Sequence, residues 1–113
     1  MSAPNLTDLG ETHTELVYKI VSRKEWEAAV QLGVYRGSKD DQRDGFVHLS
    51  SKSQVSATLQ RHFAGQSDLL LISFDAAALG AALRFETSRG GQPFPHLYGE
   101  LATALALEVV QLG

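Results

Sequence analysis

The chain has 113 residues, of which 43% are apolar and 20% are charged, so it is long and apolar enough to bury one hydrophobic core. The absence of cysteine excludes disulfides, thiolate metal sites and cysteine nucleophiles. A formal net charge of −3, with the basic residues scattered, argues against a nucleic-acid partner.

Residues 1–15 are polar and lack the basic and apolar regions of a signal peptide. We therefore predict a flexible leader over 1–15 and a single domain over 16–113. The longest apolar run, residues 69–72, has the length of a strand, which predicts no membrane span. The protein is expected in the cytoplasm, as a monomer or a weak homodimer.

The first half of the domain shows the clearest pattern. Residues 16–21 are β-branched and aromatic, which predicts a strand. Ser22 with Glu25 three residues later is a capping-box pattern, and Gly33 is a typical helix end. The intervening helix is expected to bury one face, made of Trp26, Ala29 and Val30.

Residues 34–44 are polar and have no periodicity, which predicts a loop of functional interest. A strand is predicted at 45–49, and a helix capped by Ser50 or Ser51 follows it. Residues 69–74 are apolar enough for a central strand.

The second half is predicted to be mainly strands. Asp75 caps a short helical turn, strands follow at 83–86, 94–98 and 105–112, and a flexible glycine-rich loop covers 88–92. The prolines in 93–95 suggest a strand at a sheet edge. Two main helices in the first half and strands in the second predict a compact α+β fold with a split, mixed or antiparallel sheet.

Two predicted strands each carry a histidine with aromatic neighbours. Alternation along a strand places Phe46, His48 and Ser50 on one face, and likewise Phe94, His96 and Tyr98. If the strands are adjacent, they form a cleft suited to a planar ligand with polar substituents. The alternative is that each histidine binds a backbone carbonyl at the edge of the core.

Other chemistry-bearing residues admit two interpretations. Lys19 either extends to solvent from the sheet or offers its charge to a phosphate, and Glu86 and Glu100 either act as a base or ribose contact or face water. Ser50 and Ser51 lack a nucleophile-elbow pattern, and no histidine has the spacing of a metal ligand, so we predict no metal.

The segments GFVHLS (45–50) and FPHLYG (94–99) resemble the bacterial domain-of-unknown-function 952 family, as do the earlier strand, Trp26, Tyr35 and Ser38. That family is grouped with the ADP-ribosyltransferase-like proteins, so the resemblance implies a split sheet around a cleft that holds NAD in active members. By order in that fold, Lys19, His48 and His96 would stand at the three motif positions. The chain departs from the pattern at Lys19, where the family usually has histidine, and at His96, where transfer would require a carboxylate.

The combined hypothesis is a cleft that binds NAD, ADP-ribose or a related nucleotide. His48 and His96 are the predicted catalytic acid and base for an ADP-ribosyl or phospho transfer. The predicted cofactor-binding residues are Lys19, Ser50, Tyr98, Tyr35 and Ser38, the last two on a loop that closes over the ligand. The alternative is a non-catalytic domain that binds a small molecule or a protein.

Overall fold

A computed structural model describes residues 15–87 and 91–112. The predicted leader, except Glu15, and residues 88–90 of the predicted loop lie outside the described residues. In chain order the strands and helices are β1 (Leu16–Ser22), α1 (Arg23–Leu32), β2 (Val34–Tyr35), α2 (Lys39–Asp44), β3 (Val47–His48), α3 (Val55–Phe63), β4 (Leu69–Asp75), α4 (Ala76–Leu79), β5 (Leu83–Thr87), β6 (Pro93–Leu97), β7 (Leu101–Ala102) and β8 (Ala106–Leu112). Short 3₁₀ turns precede α3, β5 and β8.

The strands form three small sheets, and each pairing between them is antiparallel. One has the order β1-β4-β8, the second β3-β6-β5, and the third contains only β2 and β7. Two backbone hydrogen bonds between Tyr18 and Ser50 join β1 to the end of β3 and so connect the two larger sheets. The α+β class predicted from the sequence is confirmed.

The predicted β1–α1 unit is confirmed at both helix ends. The Ser22 hydroxyl accepts a hydrogen bond from the Glu25 amide, and Gly33 adopts a left-handed conformation with φ of 94°. Trp26 and Ala29 are buried as expected, but Val30 is half exposed. The face of the helix that packs against the sheet is therefore narrower than predicted, and Val30, the residue after Ala29, lies outside it.

The core lies on one side of β1 and β4. Strand β4 is paired on both sides, which confirms the predicted central position. Leu70, Ile72 and Phe74 project from β4 into the same cluster as Val17 and Val21 from β1. Each such side chain stabilises the fold by about 1.5–3 kcal/mol through removal from water.

Two predicted elements are wrong. The expected loop at 34–44 contains strand β2 and helix α2, because Ser38 caps the helix through the Asp41 amide. The expected edge strand, β6, is central in its sheet. Proline lacks an amide donor, but its carbonyl still accepts, and Pro95 receives a hydrogen bond from Leu49.

Candidate functional site

The two histidines lie side by side on neighbouring strands. In the antiparallel register of β3 and β6, His48 is directly opposite His96, and Val47 opposite Leu97. Val47 and Leu97 are buried in the core, so the histidines project from the other face, as the alternation predicted. Their ring centroids are 5.6 Å apart, and the ring planes are inclined at 69° to each other.

Aromatic rings surround this pair. Phe46 stacks on the His96 ring with a centroid distance of 4.0 Å, and it also lies 4.6 Å from the His48 ring. Tyr98 completes the group at 5.2 Å from Phe46. Of the residues that strand alternation placed on these faces, Phe46, His48, His96 and Tyr98 lie together, and the ring of Phe46 contacts both histidines.

A buried carboxylate, Asp41 of helix α2, holds the first histidine. Its Oδ1 lies 2.6 Å from His48 Nδ1 and accepts a hydrogen bond from the His48 amide at 3.0 Å. Its Oδ2 accepts from the Lys19 ammonium and from the Ser38 amide, both at 2.9 Å. Lys19 donates a further hydrogen bond to the His48 carbonyl. Lys19, Asp41 and His48 thus form one network, which we call the Asp41 network.

The Asp41 network keeps its carboxylate ionised. Burial alone would raise the pKa of Asp41, but the hydrogen bond from His48 and the charge of Lys19 outweigh it and hold that pKa far below its ordinary value. The side chains of Lys19 and Asp41 are only 8% and 2% exposed. The Lys19 charge is therefore compensated inside the protein and is not presented to a ligand.

Local sequence explains where Asp41 points. Gly37 has a positive φ of 103°, and a Cβ at this position would lie 2.6 Å from the Asp41 Cβ. The chain then enters α2 through a capping box in which the side chains of Ser38 and Asp41 each accept a hydrogen bond from the other's amide. The backbone turn and the capping box therefore orient the Asp41 carboxylate independently of its contacts with Lys19 and His48.

The far side of the His48 ring meets a second carboxylate. Its Nε2 lies 3.0 Å from Asp44 Oδ2, at the last residue of α2. Asp44 also pairs with Arg43, and the hydrogen bond from Arg43 lowers the pKa of Asp44. Both nitrogens of His48 therefore face carboxylate oxygens, an arrangement in which both contacts are hydrogen bonds only if the ring is cationic.

The second histidine has a carboxylate partner of a different kind. His96 Nδ1 lies 2.8 Å from Glu86 Oε1 of β5, and the Tyr98 hydroxyl donates to the same oxygen at 2.7 Å. The hydrogen bonds from Tyr98 and His96 lower the pKa of Glu86, and the contact with Glu86 raises the pKa of Tyr98. We call Glu86, His96 and Tyr98 the Glu86 group, which lies at the surface through Glu86 and Tyr98.

The other predicted site residues occupy varied places. Ser50 is buried, with its hydroxyl 3.1 Å from that of Thr58, and Ser38 caps α2. Tyr35 lies in the core, and its hydroxyl has no hydrogen-bond partner among the described residues. Burial, followed by the charge of Asp41, raises the pKa of Tyr35. Glu100 pairs with Arg36 and not with a histidine.

A surface cavity of about 380 Å³ adjoins the site, within the size range of small-molecule sites. Its lining residues come from α2, from the segments on either side of α2, from β3 and from the turn after β6, and they comprise Arg36, Asp41, Gln42, Gly45, Phe46, Val47, Gly99 and Glu100. Phe46, which contacts both histidine rings, lines this cavity, whereas His48 and His96 are not among its lining residues. In residues 15–87 and 91–112, no group of three or more histidine, aspartate or glutamate side chains is arranged to hold a metal ion.

The carboxylate of Asp41 is the main component that sequence reasoning missed. The signal was present as Ser38 followed three residues later by an acidic residue, the capping-box spacing that correctly identified the start of α1. Its link to Lys19 joins residues 22 apart in the chain, which no local pattern reports.

These observations define a small α+β domain with two carboxylate-linked histidines on paired strands. The chain belongs to the family described as "Protein of unknown function (DUF952)", whose model matches residues 20–110. No curated protein matches it. Among its helices in the described ranges, none is long and apolar enough to cross a membrane.

Two experimental structures of protein CC0527 from Caulobacter crescentus are similar to this chain. The X-ray structure has a TM-score of 0.85 and 44% identity, covering 87% of this chain and 86% of that one. The solution NMR structure has a TM-score of 0.77 and 44% identity, covering 86% and 84%. The likeness extends over nearly the whole domain.

Proposed function

We propose that the protein binds NAD, ADP-ribose or a related nucleotide-derived molecule at the His48–His96 pair, in an ADP-ribosyltransferase-like cleft. The observation that carries this proposal is that each histidine has its Nδ1 against a carboxylate oxygen, with the two rings 5.6 Å apart. At His96 the carboxylate at Nδ1 fixes the ring and favours a proton there, which leaves Nε2 as the acceptor nitrogen, whereas both nitrogens of His48 face carboxylates.

His96 has the stronger case as an acid–base group. Its Nδ1 donates to Glu86, so its Nε2 carries the lone pair that would take a proton from a ligand hydroxyl. Glu86 brings a negative charge beside His96, where the family resemblance implies a need for a carboxylate. That charge would stabilise an oxocarbenium-like transition state in a transfer from the ribose of the ligand. Glu86, rather than Glu100, is the carboxylate of this proposal.

The site suits the nucleoside part of such a ligand and not its diphosphate. The exposed ring of Tyr98 offers an aromatic surface to a flat ring of the ligand. Lys19, the expected phosphate ligand, forms an ion pair with Asp41. Arg36, at the adjoining cavity, is likewise paired with Glu100. We therefore assign base and ribose contacts to the cleft and no phosphate contact to Lys19.

An amide-shift NMR titration with NAD, ADP-ribose and nicotinamide tests the proposal. We expect shifts in residues 46–50 and 96–99, and their loss in His96→Gln. His62→Gln is the matched control, because His62 is exposed on helix α3, outside the site. A folded protein that shows no shifts with any of the three ligands at millimolar concentration would contradict nucleotide binding.

The stacking of Phe46 favours a second candidate, a binding domain without catalysis. Its ring lies 4.0 Å from His96 and 4.6 Å from His48, so a ligand reaches both imidazoles only if Phe46 moves. Phe46→Ala distinguishes the two. The catalytic proposal predicts tighter ligand binding at the exposed histidines, whereas a non-catalytic domain that uses Phe46 as its contact surface would bind its ligand more weakly.

A further inference from the structure

The last strand, β8, is an edge strand without the usual protection. It pairs with β4 on one side, and in residues 15–87 and 91–112 no strand pairs with its other side. Its sequence, ALEVVQL, has no proline, lysine or arginine, and Glu108 is its one charged residue. An exposed row of backbone amides and carbonyls with apolar side chains is a template for another strand.

Both faces of β8 carry exposed apolar side chains. Leu107, Val109 and Val110 are 59%, 48% and 44% exposed, although each belongs to a strand hydrogen-bonded into the central sheet. Val109 is opposite Ile72 of β4, so it lies on the face that carries the core, while Val110 is opposite Leu71 on the other face. The edge is therefore apolar above and below the sheet.

Helix α1 extends the apolar surface on the core side. Arg23, at the start of the helix, hydrogen-bonds Gln111, and Gly33, just after its end, accepts from the Thr103 amide. These two contacts align the helix with the segment 103–111 in opposite directions. Val30 and Leu32 of the helix are 52% and 59% exposed, so the helix that lies along this segment also carries exposed apolar side chains.

The opposite edge of the same sheet, β1, is bridged to Ser50, and β5, an edge strand of the second sheet, gives a further contrast. Its exposed Phe85 is flanked by Arg84 and Glu86, and charged side chains at an edge discourage pairing with another chain. Strand β8 has a single charge in seven residues. The difference singles out β8 as the edge able to accept a partner strand.

We propose that β8 is the interface of a symmetric homodimer, formed by antiparallel pairing of β8 with β8 of a second copy. The strand is self-complementary about Val109: Val109 then meets its own copy, Leu107 meets Gln111, and Glu108 meets Val110. No like charges meet in this register, whereas pairing centred on Glu108 would place two glutamates together. The result is a continuous six-stranded sheet with both α1 helices on one face.

Sedimentation of the full chain over a range of concentrations tests the dimer. We expect the weight-average mass to rise toward that of two copies, and Val109→Lys or Val109→Glu to weaken association at least about tenfold, because like charges meet at the dyad. An equimolar mixture of the two variants should associate again, since opposite charges then meet at the centre. Phe85→Lys is the matched control and should associate like the wild-type protein.

Circular dichroism establishes that each variant is folded, and hydrogen exchange of the β8 amides gives an independent readout. Protection of these amides that increases with protein concentration, in step with the mass, supports the proposal. A protein that stays monomeric at millimolar concentration overturns it, as does protection that is independent of concentration, which would indicate cover by another part of the same chain. Association that survives both Val109 substitutions would place the interface elsewhere and equally overturn it.

Discussion

The two histidines have the same kind of carboxylate contact in two different settings. Asp41 is buried, accepts four hydrogen bonds and is tied to Lys19, so His48 belongs to a network that holds the fold together. Glu86 is partly exposed and shared by His96 and Tyr98. The comparison teaches that the burial of the carboxylate distinguishes the two pairs: we expect loss of the buried Asp41 to cost stability and loss of the partly exposed Glu86 to cost ligand binding.

The largest expected effect is that of Asp41→Asn. This change leaves the Lys19 ammonium buried without its counter-charge, and breaking a buried pair costs about 3–5 kcal/mol. Urea unfolding followed by circular dichroism should report a loss of that size. The double variant Lys19→Met with Asp41→Asn should recover part of the loss, since no buried charge remains. A loss below about 1 kcal/mol in Asp41→Asn would show that the Asp41–His48 pair contributes no more to stability than an exposed pair, and would contradict the difference drawn from the Glu86–His96 pair.

Acid should weaken the Asp41 network next. The folded-state pKa of Asp41 lies below its ordinary value of 3.8, so the unfolded chain binds a proton more readily. The stabilisation is complete well above pH 3.8 and is lost as the pH falls from there toward the folded-state pKa. Unfolding free energies measured from pH 6 downward should therefore fall less steeply in Asp41→Asn than in the wild-type protein. Parallel pH profiles would contradict this assignment.

A smaller effect, of opposite sign, is expected at Tyr35. Its buried hydroxyl has no partner among the described residues and lies near the charge of Asp41. Tyr35→Phe removes an unsatisfied polar atom and keeps the ring against Trp26, so we expect a gain of about 1 kcal/mol in unfolding free energy. Destabilisation in the urea experiment would show that the hydroxyl is satisfied in solution.

The smallest effect on stability is expected from Glu86→Gln. Glu86 is solvent-accessible, so the urea midpoint should remain that of the wild-type protein. In the proposed cleft the same substitution removes the charge that orients His96, and nicotinamide or ADP-ribose should bind about tenfold more weakly by NMR titration. Arg36→Gln, outside the histidine pair, is the control. Destabilisation without a change in binding would make the Glu86 group structural as well.

The sequence predicted the features that depend on residues close together in the chain. The start and end of α1, the central position of β4 and the shared face of His48 and His96 each follow from spacing within a few residues. Helix α2 was missed because its six polar residues bury only Asp41, so no periodic apolar face marks it. The roles of Lys19 and Glu86 depend on partners brought together by folding, which a linear pattern does not contain.

The prolines of β6 have a consequence for how the site moves. Five residues form this strand and two are proline, which leaves three backbone amides to donate hydrogen bonds to its neighbours. Strand β4 has seven residues and no proline, so every one of its backbone amides is able to donate a hydrogen bond. Local opening should therefore cost less at His96 than in the main core, and under the proposed function the sheet bearing the histidines would loosen to admit the ligand while the rest of the domain stays closed.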